Sequence, residues 1–142
     1  MRMNAIIEKL NQDLKNEWKH HCFYLHNASN IVGLHAKEYK EWLVEQAASE
    51  MQHVVQFSDL IVGLGGTPTR EINDFPSLSD PREILEYAAK MEEEVLDNYY
   101  QRISDAEKIN NSDSYWVIIF LEKQMEDSRK DLDEIRQILK GA

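Results

Sequence analysis

The sequence predicts an all-α fold, a four-helix bundle with one long crossover between the second and third helices. Three observations predict it. Four long stretches carry apolar residues at three-and-four spacing, the repeat of helices buried along one face. The segments joining them run short, long, short, and one long connection among short ones is a known bundle topology. Strand signals, the alternating apolar and β-branched runs of a sheet, are nearly absent.

The first helix is expected over about residues 4 to 33, with Ile7, Leu10, Leu14, Trp18, Tyr24, Leu25, Ala28 and Val32 along its stripe and Gly33 as a C-cap. The second covers about 37 to 62, with Leu43, Ala47, Val54, Phe57, Leu60 and Ile61 on one face. GLGGTPTREINDFPSLSDP follows, rich in Gly, Pro, Ser and Asp, and is long enough to travel the length of the bundle. Asp80 caps a third helix with Pro81 at its first position and Glu83 three residues after the cap. That helix runs to about 109, on the stripe Ile84, Leu85, Ala88, Val95, Tyr99, Ile103 and Ala106. After the turn NNSDS, the fourth runs from about 113 to 140 with Ile118, Leu121, Met125, Leu132, Ile135 and Leu139. At 1.5 Å per residue, each helix is about 40 Å long. Residues 1–142 read as a single domain.

Polar residues interrupt these stripes. On the first helix Glu17 continues the face of Leu10, Leu14 and Tyr24, and His21 lies on the same side. On the second, Glu50 and His53 fall among Ala47, Val54 and Phe57, within the stretch SEMQHVVQF. On the third, Glu92 lies between Ala88 and Val95. Each glutamate, taken singly, reads more often as a partly exposed edge residue, and a lone Glu-x-x-His is a weak pattern. Three helices that each bring a carboxylate to mid-length on the buried face are a different matter. An unpaired buried carboxylate costs several kcal/mol or takes up a proton. Three of them with a histidine need a cation, which a metal pair supplies. On the fourth helix Glu126 points away from the apolar stripe, whereas Gln124 lies on its inner flank. The fourth helix is therefore expected to bring a neutral amide.

With these residues in view, the chain resembles the ferritins, most of all the non-haem bacterial type. The segments AIIEKLNQDLKNEW, FYLHNAS, ASEMQH, AKMEEEVLDNYYQRI and FLEKQMED carry the resemblance, which covers nearly the whole chain. It implies a ferritin-like topology and a di-iron centre, with Glu17, Glu50 and His53 on one iron, Glu50 bridging, Glu92 on the other and Gln124 close by. It also implies a tyrosine beside the site, Tyr24, either hydrogen-bonded to the bridging carboxylate or donating an electron. His21 is expected in an outer layer or facing the neighbouring helix. With no second Glu-x-x-His on the fourth helix, the Glu17–Glu50–His53 side is expected to bind metal more tightly. The implied activity is a ferroxidase, oxidising Fe(II) with oxygen for iron storage or detoxification, in a homo-oligomer with two irons per subunit.

Departures from the family shape further expectations. No fifth helix follows the fourth, so the family's large cage is not assumed. Ser49 and Lys123 stand where an auxiliary iron site has carboxylates, and Met51, at the place of a haem-ligand methionine, is read as packing, so haem is not expected. Three alternatives stay open: a non-storage di-iron oxidase or peroxidase of the rubrerythrin type, a metal-poor helical assembly module, and a DNA-protecting mini-ferritin. Charge disfavours the last. With 26 acidic and 16 basic residues the chain carries a formal charge of −10, unsuited to neutralising phosphates and suited to attracting cations. The single cysteine, Cys22, permits no intrachain disulfide. With no long apolar run, a cytoplasmic protein without membrane or nucleic-acid partners is expected.

Overall fold

The computed structural model describes residues 1–141. Four helices account for its regular structure: α1 (Met3–Asn30), α2 (Ala36–Gly63), α3 (Pro81–Glu107) and α4 (Ser112–Leu139). Local chemistry sets several boundaries. The Asp80 side chain accepts from the Glu83 backbone N–H at 3.1 Å and Pro81 opens α3. At α4 the Asn111 side chain accepts from Ser114 N at 2.8 Å while Ser114 Oγ accepts from Asn111 N at 2.9 Å, a reciprocal cap. At the other end of α1 the expectation was wrong: the helix stops at Asn30, and Ile31 beyond it is extended. Gly33, at φ +113°, belongs to the turn into α2 and is not the helix cap.

The long connection is the crossover anticipated from the sequence. It runs along α1 and is pinned there by asparagines. Asn11 donates to Thr67 O and accepts from Thr69 N, Asn16 accepts from Asn73, Asn27 accepts from Leu78 N, and Asn30 donates to Leu78 O. Crossover residues thus pair with α1 from its first turns to its last, and Val32 N then reaches Ser79 O at 3.0 Å. The segment leaves α2 tightly: a Cβ on Gly66 would come within 2.5 Å of Ile7 Cγ2, so only glycine fits this seat against α1. As a result α2 and α3 start at the same end of the bundle, and each runs antiparallel to α1.

The core has two apolar halves. One holds Ile6, Leu10, Leu14, Phe57, Tyr99 and Leu121; the other holds Phe23, Tyr24, Leu43, Ala88, Met91 and Ile135. Leu25 and Val32, placed on the α1 stripe by their spacing, are instead exposed. Met51 packs against the first half of the core. No helix is long and apolar enough to cross a membrane among the described residues.

Candidate metal centre

The layer between the two apolar halves is polar and buried. Glu17, His20, Glu50, His53, Glu92 and Gln124 are each 3% exposed or less. Every helix contributes: α1 brings Glu17 and His20, α2 brings Glu50 and His53, α3 brings Glu92, and α4 brings Gln124. A helix turns once in 3.6 residues, so the pairs spaced by three on α1 and α2 project from one face each.

Two groups form inside this layer. In the first, His53 Nδ1 lies 3.1 Å from Glu50 Oε2 and 3.5 Å from Glu17 Oε2. In the second, His20 Nδ1 lies 3.5 Å from Glu92 Oε1 and 3.9 Å from Glu50 Oε2. Within each group of three, one ligand atom per residue falls within 4.8 Å of the others, the spread a single metal ion can bridge. Glu50 belongs to both. Several oxygens here find no hydrogen-bond donor: both of Glu17, Oε1 of Glu50, Oε2 of Glu92, and the side-chain carbonyl of Gln124. Buried polar atoms are rarely left this way, and hard carboxylate oxygens with imidazole nitrogens are the donor set of iron and similar cations. The residues fit a metal pair.

The electrostatics reflect the crowding. Burial pushes the Glu50 and Glu92 carboxyls above the usual range; His53 and His20 respectively oppose that rise. Burial alone would lower both histidines. Instead Glu17 and Glu50 push His53 up to about 12, and Glu92, with Glu50 and Glu17 behind it, pushes His20 up to about 9. Without metal, both imidazoles therefore carry protons that partly neutralise the carboxylates. On α4, Asp131 is raised to about 7 by burial and by the charges of Glu92 and Glu50.

All six residues singled out from the sequence lie in or against this layer, with differences of detail. Tyr24, fully buried, donates to Glu92 Oε1 at 3.3 Å, not to the shared Glu50. Gln124 turns its amide nitrogen to Gln56 Oε1 at 2.8 Å and leaves its carbonyl unpartnered. Glu126 is exposed, as its helical angle requires. His21 faces the neighbouring helix, with Nδ1 2.7 Å from the Ala47 carbonyl. The histidine inside the cluster is its neighbour His20, which the sequence reading passed over. Its signal was present as a second Glu-x-x-His, EWKH, on α1. The expected asymmetry between two metals rested on there being no second histidine, and His20 removes that premise. Asp127 was also missed: 56% exposed on α4, it sits 3.4 Å from His53 Nε2. It lines a surface cavity of about 460 Å³ with Gln56, Trp116, Phe120, Lys123 and Gln124.

A four-helix bundle whose second connection is a long crossover, with a carboxylate–imidazole cluster at mid-height, defines the class of di-metal carboxylate proteins. The chain belongs to the ferritin-like domain family, whose model matches residues 7–141. Among curated proteins nothing matches. Solved structures do. A ferritin-like, diiron-carboxylate protein from Bacillus anthracis is 29% identical with a TM-score of 0.88, over 98% of this chain and 99% of that one. The bacterioferritin of Rhodobacter capsulatus is 18% identical with a TM-score of 0.86, over 98% and 86%. A dodecameric thioferritin from Bacteroides fragilis is 19% identical with a TM-score of 0.83, over 98% and 86%. The last two carry the likeness of fold alone.

Proposed function

We propose that this centre binds two iron ions and oxidises Fe(II) to Fe(III) with oxygen, a ferroxidase reaction serving iron storage or detoxification. One observation carries the reading: three buried carboxylates, Glu17, Glu50 and Glu92, converge from three helices with oxygens that no protein donor satisfies. Glu17 and His53 hold one iron, Glu92 holds the other, and Glu50 is shared. An iron pair supplies the two electrons that a dioxygen molecule takes up.

The residues prepare the site for that exchange. Apolar halves of the core above and below keep bulk water out and strengthen the carboxylate charges. Tyr24 fixes Glu92 through its hydroxyl and stands close enough to serve as an electron donor. Gln124 offers a neutral carbonyl from α4, which adds a dipole without adding charge. The Bacillus anthracis structure is described as a diiron-carboxylate protein, which supports iron as the metal. The Bacteroides fragilis protein is dodecameric, and we infer that this chain also forms a homo-oligomer. Nothing in the reading calls for haem, a membrane or nucleic acid, and the cytoplasm is the compartment it suits.

Anaerobic Fe(II) titration followed by an oxygen pulse tests the reading. Two irons per chain should bind, then oxidise in a burst that Glu50→Ala abolishes. No binding, or a burst unchanged in Glu50→Ala, overturns it. Light scattering separates storage from simple oxidation, because a dimer cannot enclose a mineral.

A further inference from the structure

We propose that His20 is a metal ligand, so that the second ion takes its imidazole from α1, and the centre is built on two Glu-x-x-His pairs on adjacent helices. This deepens the di-metal reading above and rests on it. The pairs are Glu17 with His20 and Glu50 with His53. They interlock across the helices. His53 on α2 faces Glu17 on α1, His20 on α1 faces Glu92 on α3, and both imidazoles approach Oε2 of Glu50. Each group therefore has the same composition: one imidazole, one carboxylate of its own and one shared carboxylate.

Two further observations support the assignment. Among the described residues His20 has no other polar partner: its ring nitrogen faces the two carboxylates, in a layer from which solvent is excluded. Its neighbour His21, by contrast, is tied to a backbone carbonyl of α2 and has a structural task. The fourth helix places no carboxylate in either group of three: Asp131 is half-buried and feels Glu92 and Glu50 but belongs to neither. Glu126 is exposed and paired with Lys130, and Asp127 lies against Nε2 of His53, the nitrogen turned away from the cluster. Matched donor sets predict two sites of similar affinity.

Anaerobic titration with Co(II), followed by calorimetry and by visible absorption, tests the assignment. The wild-type chain should take up two equivalents with dissociation constants within about tenfold, a gap of about 1.4 kcal/mol. His20→Ala should keep one equivalent and weaken the other by more than about 100-fold, beyond what removing an outer hydrogen-bond partner does. Glu126→Gln should keep both, since that carboxylate is exposed and paired with Lys130. Two tight equivalents in His20→Ala, or loss of one in Glu126→Gln, overturn the proposal. Should His20→Ala fail to fold, the unmutated Co(II) protein still decides. Proton NMR should show two imidazole N–H signals shifted outside the diamagnetic window, and a single one overturns the proposal. A wild-type chain that takes up no metal defeats the di-metal reading itself, a result distinct from these.

Discussion

His53 is held by carboxylates at both ring nitrogens: Nδ1 lies 3.1 Å from Glu50 Oε2 and Nε2 lies 3.4 Å from Asp127 Oδ2. The inner nitrogen faces the metal layer, and the outer one reaches the surface. An acceptor on the outer N–H fixes the ring's orientation and its tautomer, leaving the inner lone pair for a metal. Asp127→Ala should therefore weaken binding on the His53 side by about 10- to 100-fold without changing the number of ions bound. Competition titration against a chelator of known affinity measures it. Unchanged affinity would make the contact incidental to metal binding.

Metal uptake should release protons. His20 is raised to about 9 and His53 to about 12, so both imidazoles are protonated at pH 7 in the metal-free chain, and each must lose a proton to bind. Calorimetry in two buffers of different ionisation enthalpy should give close to two protons released per metal pair. Apparent affinity should rise with pH, the His20 part of the rise ending at about 9 and the His53 part continuing beyond it.

The same shifts govern the stability of the metal-free protein. A folded-state pKa above the unfolded value stabilises below the unfolded pKa, and the gain is lost as pH rises through the folded one. For His20 this window runs from the ordinary histidine value of 6.5 up to about 9. The raised carboxyls of Glu50 and Glu92 act with the same sign, as does Asp131 up to about 7. The His20 contribution is of order 3 kcal/mol. Thermal melts with chelator present should fall by several degrees between pH 6.5 and 9. Melts of the metal-loaded chain should not fall, because the imidazoles are then already deprotonated.

Why His20 escaped the sequence reading follows from the geometry of α1. This helix packs against two partners, α2 and α3. The flank toward α2 is apolar and legible by its spacing. The adjoining flank is buried through polar residues, each 3% exposed or less: Asp13 and His20 meet α3, and Asn27 meets the crossover. Apolar periodicity is blind to such a flank, so the stripe was centred too far toward His21, Leu25 and Val32. The bundle, the crossover and the cap at Asp80 were legible because they rest on signals of residue type and spacing. The Glu17, Glu50, His53 and Glu92 set was legible because each residue interrupts an apolar stripe. Asp127 was not, because an exposed acid on a charged helix carries no mark until the fold sets it against His53.

Glu17 illustrates a trade between stability and binding. Both of its oxygens are buried without a hydrogen-bond donor, and three carboxylates of the layer face only two histidines. Glu17→Gln removes the excess negative charge and keeps the shape. The metal-free variant should be more stable by about 1–2 kcal/mol in urea denaturation, while the His53-side metal binds far more weakly. A destabilised metal-free variant would show that Glu17 earns its place in the fold through His53 alone.

A second buried polar cluster has nothing to do with the metal layer. Arg102 on α3 reaches Asp13 on α1 through two hydrogen bonds, Nε at 2.8 Å and one terminal nitrogen at 3.0 Å, and donates to Asp105 at 3.0 Å. Lys9 completes the group with a 2.9 Å bond to Asp105. Both aspartates are 2% exposed. Truncating the arginine would strand the Asp13 charge in the core, and a buried pair broken on one side costs about 3–5 kcal/mol. Arg102→Ala should therefore lower the urea midpoint sharply. Arg102→Lys should recover only part of it, because an ammonium cannot reproduce the two-pronged contact. The double variant Arg102→Met with Asp13→Leu should be less destabilised than Arg102→Met alone, since no charge is left unpaired at Asp13. Metal stoichiometry should be the same in all of them, because Lys9 and Arg102 touch none of the residues of the two metal groups.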